Sequence, residues 1–265
     1  MRARLRARNS GLEKFLKSMR NFKIIFEYDG TDFCGWQTQK QGERTVQGEF
    51  EAVLSKIFKH PIKVIASGRT DSGVHARGQV ISFKVETRMK PDEIKRALNG
   101  LLPADIAVHE ASEVSADFHA QYSVKEKTYR YTILNRKVRS AFLRGHTLFY
   151  PYPLNVTLMR KAAKYIIGRH DFKSFQAHDP LRAERQTVRT IKKLVIKKEG
   201  DLITIDVTAD GFLYKMVRNI VGTLLAIGSG QLPLEEMPKI LKSKNRKTAP
   251  DTAPAHGLCL IQVKY

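Results

Sequence analysis

The sequence has little that would support a disulfide framework, a membrane anchor or a structural zinc site. Its 265 residues include only two cysteines, Cys34 and Cys259, which lie near opposite ends of the chain and outside any CxxC spacing. Cysteines so few and so far apart are typical of a protein kept in a reducing compartment. The longest apolar run, Ile220 to Ile227, is much shorter than the ~20 residues that a membrane span needs. We therefore expect a cytoplasmic protein with no membrane association.

Several familiar catalytic motifs are missing as well. The chain has no GxxxxGK[ST] loop, no GxGxxG after a strand, no HExxH and no GxSxG. This excludes kinases, dinucleotide enzymes, zincins and serine hydrolases of the usual designs. Asp71 and His75 have the spacing of a metal-binding pair, but no third ligand stands at a known distance from them. A metal site is therefore not favoured.

Positive charge is what the sequence has in excess. Lysine and arginine number 47 against 26 acidic residues, so the formal net charge is +21. This is far more than solubility requires, and it indicates a polyanionic partner.

Residues 1–20 hold seven of the basic residues and one acid, Glu13. Three interpretations of this stretch stay open: a basic arm that binds nucleic acid, an organelle transit peptide, or an extension that precedes a true start at Met19. A dispensable extension is favoured. The rest of the chain is strongly basic without it, so the polyanion hypothesis does not depend on it.

Hydrophobic periodicity and turn residues predict an α+β fold of two domains, residues 21–119 and 120–265. In the first domain we predict strands at Phe22–Tyr28, Ile62–Ala66, Gln79–Val85 and Ile106–Val114, with helices after Thr45 and from Pro91. In the second we predict strands at Lys127–Leu134, Arg189–Lys197, Leu202–Thr208 and Leu258–Tyr265, with helices at Asn155–Ile167 and Gly211–Ile227. Thr45 and Asn155 are predicted as N-caps of the helices that they begin. Both domains have a split βαβ-like, α/β-sandwich design with mixed, mostly antiparallel sheets, and we expect a basic cleft between them.

An unusually polar loop, Ser67–Gly78, joins two of the predicted strands. Asp71 stands between Arg69 and Arg77, whose charges favour an ionised carboxylate. An ionised carboxylate is a candidate nucleophile, and loops between strands often present reactive side chains. The same residues also suit a simple turn with arginines that contact phosphate, and residue types alone favour that interpretation.

The aromatic residues also allow two interpretations, a place in the core or a contact with a nucleic-acid base. Tyr129 and Tyr131 alternate on one predicted strand beside basic residues such as Lys127, and the sole tryptophan, Trp36, lies in a second unusual loop. Such rings are most often part of a core. A ring beside basic groups is also the means of stacking an extruded base.

Ten sequence blocks recur in the same order in a known family. The most specific is Gly68-Arg69-Thr70-Asp71-Ser72-Gly73-Val74-His75-Ala76. The others are Tyr28-Asp29-Gly30-Thr31, Gly35-Trp36-Gln37, Thr45-Val46-Gln47-Gly48, Leu101-Leu102-Pro103, Phe118-His119-Ala120, Tyr129-Arg130-Tyr131, His170-Asp171-Phe172, Met216-Val217-Arg218-Asn219-Ile220-Val221-Gly222 and Gly257-Leu258. With these blocks, the chain resembles the TruA-type tRNA pseudouridine synthases from about Phe22 to its C-terminus.

The resemblance implies an isomerase without cofactor or metal that detaches uracil from ribose, rotates it and rejoins it through C5. It implies tRNA as the partner, positions 38 to 40 of the anticodon stem-loop as the target, a flipped base, and a homodimer that one tRNA bridges. By the same resemblance, Asp71 is the catalytic carboxylate, Arg69 helps to hold the base out of its stack and Tyr129 lies against the uracil. Arg218 is expected to pair with the aspartate, and Leu258 or Leu260 to lie near the pocket.

Gln121 departs from the family pattern, which usually has arginine after Phe118-His119-Ala120, and this puts one substrate contact in doubt. Two other functions stay open at this point. One is a non-catalytic protein that binds structured RNA, and the other is an isomerase that acts on a different RNA.

Overall fold

The computed structural model describes residues 19–38, 42–178 and 186–265. The hypotheses on the basic extension concern residues that lie, except for the last two, outside this part. Arg20 belongs to the folded chain: it begins the first strand, and its guanidinium donates to both carboxylate oxygens of Glu113 at 3.0 and 2.7 Å.

One mostly antiparallel sheet dominates the described residues. Its strands are β1 (Arg20–Tyr28), β2 (Ile65–Ala66), β3 (His75–Val85), β4 (Ile106–Val114), β5 (Glu126–Leu134), β6 (Leu148–Phe149), β7 (Gly168–Asp171), β8 (Val188–Glu199), β9 (Leu202–Ala209) and β10 (Leu258–Lys264). Their order is β4-β1-β3-β10-β5-β9-β8-β7, with β2 paired to β3 and β6 to β5. The predicted α+β class is confirmed.

Five helices lie in the described residues: α1 (Val46–Phe58), α2 (Pro91–Leu101), α3 (Val156–Lys164), α4 (Met216–Gly228) and α5 (Glu236–Ser243). The predicted caps are present. The Thr45 hydroxyl accepts from the Gly48 amide at 3.2 Å, and Asn155 Oδ1 accepts from the Leu158 amide at 3.0 Å. Such caps satisfy amides that have no partner inside the helix. No helix in the described ranges is long and apolar enough to cross a membrane.

Four predicted boundaries are wrong by three residues or more. The start of β2 is one of them, at Ile65 and not at Ile62. β3 begins at His75, not Gln79, because its first residues pair in parallel with Cys259 and Leu260 of β10. α4 begins at Met216, five residues later than predicted, because Lys215 before it has a left-handed backbone with φ of 56°. α3 ends at Lys164, three residues early.

β10 joins the two halves of the chain. It pairs in parallel with β3 and antiparallel with β5, where Leu258 lies opposite Tyr131. The sheet therefore runs without a break from β4 to β7, although its outer strands come from different halves of the sequence. The boundary between residues 119 and 120 remains a prediction.

Candidate active site

A cleft of about 1080 Å³ opens on one face of the sheet. Its wall is formed by the loop between β2 and β3, by β5, by the segment that leads into α4 and by the start of β10. The five site residues predicted from sequence all line it: Arg69, Asp71, Tyr129, Arg218 and Leu258. These residues come from four segments that are far apart in the sequence, and the fold brings them together in one cleft.

The loop that carries Asp71 is held at several backbone points. The Thr70 carbonyl accepts from the Trp36 amide at 3.1 Å, and the Ser72 hydroxyl donates to the Phe33 carbonyl at 3.1 Å. Gly73 has φ of 74°, a conformation that residues with a Cβ rarely adopt. The loop is thus a tight turn, as the simpler interpretation proposed, and this turn directs Asp71 toward the cleft.

Asp71 pairs with Arg218. Arg218 Nη1 donates to Asp71 Oδ2 at 2.6 Å, and the two side chains are only 13% and 20% exposed. Arg218 Nε donates at the same time to the Ala253 carbonyl at 2.7 Å. A guanidinium held at both ends fixes the carboxylate in place, and a charge-assisted bond of this length is a strong one. Asp71 Oδ1 takes no part in it.

The position of Arg218 depends on close packing of α4. Arg218 lies in the first turn of this helix, and one turn later a Cβ on Gly222 would stand 2.0 Å from the Asp251 carbonyl oxygen. Only glycine lets the segment that follows Asp251 lie so near the helix. That segment brings the Ala253 carbonyl to the Arg218 side chain, which explains why the block around Arg218 ends in glycine.

Tyr129 forms a fixed wall of the cleft. Its side chain is 8% exposed, and the Phe212 ring packs edge-on against it with 5.2 Å between centroids. Burial, and to a smaller degree Tyr28 and Asp71 nearby, raises the pKa of the Tyr129 hydroxyl above its usual value. The phenol therefore stays neutral near pH 7, and the ring offers an apolar face.

The other aromatic candidates belong to the core. Tyr131 is fully buried, and its hydroxyl donates to the Pro254 carbonyl at 2.9 Å. Trp36 is 3% exposed and packs near Phe26, with 6.2 Å between ring centroids. Of the two leucines, Leu258 lines the cleft, and Leu260 is fully buried without being part of its wall.

The described wall of the cleft carries six cationic side chains and two acidic ones. The cations are Arg69, Lys127, Arg169, Arg189, Lys215 and Arg218, and the acids are Asp71 and Asp210. Sequence reasoning missed Arg169, Arg189, Lys215 and the contact that Phe212 makes. Gln121 lies in the same wall, so the departure from the family pattern places a neutral amide in a basic cleft.

Arg77 lies away from Asp71. It lines a second cavity of about 470 Å³ together with Asp29, His75 and His146. Leu258 lines the cleft, and the next residue of β10, Cys259, lines the second cavity. Successive side chains of a strand point to opposite faces of the sheet. The two cavities therefore open on opposite faces of the sheet.

Asp29, His75 and His146 are close enough to suggest a metal site, because their ligand atoms lie within 4.8 Å of one another. Both ring nitrogens of His75 are already engaged, however. Nδ1 accepts from the Gly30 amide and Nε2 donates to the Gly145 carbonyl, each at 2.9 Å. Burial lowers the pKa of His75, which agrees with a neutral ring in this role. The group is best described as a hydrogen-bonded junction between three segments.

Comparison with known proteins places the chain in a family. The family described as tRNA pseudouridine synthase matches residues 24–123 and 162–265. A tRNA pseudouridine synthase A of Thermoanaerobacter sp. (strain X514) is 45% identical over 247 residues, which cover 93% of this chain and 100% of that protein. The corresponding protein of Halalkalibacterium halodurans is 49% identical, and the match covers 91% of this chain and 90% of that protein. That of Moorella thermoacetica is 48% identical, and the match covers 92% of this chain and 98% of that protein.

The chain therefore belongs to the tRNA pseudouridine synthase family. It is an isomerase that makes pseudouridine in tRNA, and the resemblance stated from its sequence blocks is confirmed. A non-catalytic RNA-binding role is not favoured.

Proposed function

We propose that this isomerase modifies uridines at positions 38 to 40 of the anticodon stem-loop and that Asp71 is its catalytic carboxylate. The observation that carries the proposal is the ion pair of Asp71 with Arg218, 2.6 Å long, in the wall of the basic cleft that Tyr129 also lines. A carboxylate placed so firmly in the cleft is available to a nucleotide without any activating base.

The reaction requires that the target nucleotide leaves its stack. The N1–C1′ bond breaks, the base turns, C5 bonds to C1′, and the hydrogen on C5 leaves as a proton while N1 gains one, so no external reactant is consumed. Extrusion costs roughly a few kcal/mol. Stacking on an aromatic ring contributes about 1–3 kcal/mol per base, and Tyr129 is the ring in this cleft whose position suits it.

The cationic wall supplies the phosphate contacts. Arg69 and Arg169 are exposed and Arg189 is half-buried, so their guanidinium groups are accessible to the RNA backbone. We assign Arg69 to holding the extruded nucleotide, because it is two residues from Asp71 on the same loop. Leu258 closes the apolar side of the pocket beneath the base. Neutralising phosphates in this way makes binding fall steeply with salt.

The target positions are tested with tRNA transcripts that retain one uridine in the anticodon arm, at position 38, 39 or 40, and are labelled with tritium at uracil C5. We expect tritium release from these transcripts and none from a transcript whose only labelled uridine lies outside that arm. Asp71→Asn is the control for background release. Equal release from all transcripts would contradict the proposed positions.

The assembly proposed for this protein is a homodimer in which one tRNA contacts both subunits, as the family resemblance implies. Sedimentation equilibrium of the protein, alone and with tRNA, measures this directly. We expect twice the chain mass of 30.2 kDa for the free protein and one tRNA added per dimer. A monomer at micromolar concentration would contradict it.

A further inference from the structure

Lys127 lies in the cleft and has no part in the function described so far. It precedes Tyr129 by two residues on β5, so the two side chains project from the same face of the sheet. Its ammonium donates to the carbonyl oxygen of Ser67 at 2.5 Å, at the start of the loop that carries Asp71. Lys127 therefore links the strand of Tyr129 to the base of that loop.

The ammonium has more hydrogen-bonding capacity than the protein uses. A lysine ammonium carries three donors, and within residues 19–38, 42–178 and 186–265 the Ser67 carbonyl is the acceptor it reaches. No carboxylate in those ranges forms an ion pair with it. A half-buried cation without a counter-charge is costly, and an acceptor that enters the cleft would relieve that cost.

The charged side chains that share the described cleft wall with Lys127 come from three places: Arg69 and Asp71 from the loop, Arg169, Arg189 and Asp210 from the far wall, and Lys215 and Arg218 from the start of α4. The other titratable side chains of this wall are Tyr129 of β5, Cys34, Tyr122 and Tyr214. Asp71 is engaged by Arg218, and Tyr129 is neutral. Burial lowers the pKa of Lys127 to about 8. The amine is thus mostly charged at neutral pH and loses its charge just above it.

The depth of Lys127 indicates which part of a nucleotide it meets. Arg69 and Arg169 are exposed at the rim, where the phosphate backbone passes, whereas Lys127 is half-buried beside the Tyr129 ring. Its Nζ also fills the space next to Gly68, where a Cβ would stand 2.6 Å from it. A cation at this depth lies at the level of the base.

We propose that Lys127 is a substrate-binding residue whose ammonium donates to O2 or O4 of the uracil stacked on Tyr129. This rests on the proposed role of Tyr129 and Asp71. When the N1–C1′ bond breaks, negative charge passes to the uracil and reaches both carbonyl oxygens. A fixed cation at one of them stabilises that charge more than it stabilises the intact uridine, so the residue acts chiefly on the chemical step.

The test uses single-turnover tritium release from C5 of tRNA by the whole protein. We expect Lys127→Met to slow release by about 100-fold while its affinity for tRNA stays within about threefold of the wild type. The wild-type rate should fall as pH rises past 8, since the amine loses its charge there. Lys127→Arg should keep part of the rate and lose this fall, because arginine does not titrate in that range.

The matched control is Lys125→Met. Lys125 is an exposed lysine two residues earlier that is not part of the cleft wall. Its loss should leave the single-turnover rate unchanged. Gly68→Ala provides a second variant that retains Lys127, and it should slow release because the new methyl group displaces the ammonium.

Transcripts with 2-thiouridine or 4-thiouridine at the target separate binding of the base from support of the loop. Sulfur is a weaker hydrogen-bond acceptor than oxygen, so the thio substitution at the oxygen that Lys127 contacts should slow the wild type. The same substitution should not slow Lys127→Met further, because that variant lacks the donor. A Lys127→Met rate equal to the wild type would overturn the inference. So would equal slowing of both proteins by both thio substitutions, because Lys127 would then only support the loop.

Failure of the proposed target positions would look different. The wild type would then be active on bulk tRNA and inactive on transcripts with one uridine at position 38, 39 or 40. The comparison of Lys127→Met with the wild type is therefore also made on bulk tRNA, where equal rates overturn the role of Lys127 whatever the target position.

Discussion

The two faces of the sheet carry charge in different ways. In the second cavity, acidic and basic groups occur together and are paired within the protein: Arg130 with Asp206 at 2.7 Å, and Asp105 with Arg44 at 2.6 Å. The cleft on the other face has six cations against two acids among the described residues. The cleft therefore has a local excess of positive charge on the face where RNA is expected to bind, whereas the lining of the second cavity holds three acids, Glu27, Asp29 and Asp105, against two arginines, Arg77 and Arg130.

One short segment of chain serves both faces. Asp71 faces the cleft and has a single guanidinium as its partner, whereas His75, four residues later, is held through both ring nitrogens on the other side. The block around Asp71 therefore contains residues for chemistry and residues for structure. Substitutions on the two faces should separate activity from stability.

Apart from Asp71 itself, the largest effect is expected at Arg218. Arg218→Gln removes the cation that holds Asp71 in place, and we expect turnover on tRNA to fall by about 100-fold with less than a tenfold change in affinity. Arg130→Gln is the matched control, because it removes an arginine–aspartate pair from the other face. Similar losses in both variants would contradict a special role for the cleft pair.

Tyr129 should show the next largest effect. Tyr129→Leu removes the stacking surface, worth about 1–3 kcal/mol, so turnover should fall about 5- to 150-fold. Tyr129→Phe keeps the ring, and we expect turnover within about threefold of the wild type. Equal losses in the two variants, measured by tritium release, would shift the role from the ring to the hydroxyl.

A smaller effect is expected on the salt dependence of tRNA binding. Arg189→Gln removes one cation of the cleft, so the slope of log affinity against log salt should become shallower by about 0.7–0.9, the value of one phosphate contact. Arg77→Gln removes the same charge from the second cavity and should leave the slope unchanged. Equal changes in slope would mean that the two faces do not differ in RNA binding.

The smallest effect concerns stability on the other face. The pKa of His75 is lowered by burial, so the unfolded chain binds a proton more readily than the folded one. The contribution of His75 to the free energy of unfolding should therefore be fully present above the pKa of histidine in the unfolded chain, near 6.5, and should be lost as pH drops below that pKa. In His75→Gln the free energy of unfolding should fall less between pH 7.5 and 5.5 than in the wild type. Part of the fall should remain, because burial also lowers the pKa of His256. Thermal unfolding at the two pH values measures this, and an unchanged fall would contradict it.

Much of this architecture is predictable from sequence because it is encoded locally. The caps at Thr45 and Asn155 and the alternation in β5 depend on neighbouring residues, and each was found where it was expected. The early start of β3 depends on pairing with β10, almost two hundred residues away, and no local pattern carries that information. The short strand β7 was missed for want of a repeated pattern, whereas α5 was missed although Met237, Ile240 and Leu241 have helical spacing and Pro238 lies in its first turn.

The candidate site also has a part that the sequence predicts and a part that depends on distant segments of the chain. The five residues chosen from the family blocks line one cleft, but the blocks say nothing of which other segments complete it. Phe212 was assigned to a helix face, although the left-handed Lys215 keeps it outside the helix and lets it pack on Tyr129. The position of Lys127 two residues before Tyr129 was a usable signal, because a period of two on a strand places both on one face.

The most direct test of the central claim measures affinity and single-turnover tritium release together for Asp71→Asn. The substitution keeps the size of the side chain and removes its charge. We predict tRNA affinity within about threefold of the wild type and release slower by at least about 10³-fold, as for loss of a principal catalytic group. Release at the wild-type rate from bound tRNA would contradict the assignment of Asp71 as the catalytic residue.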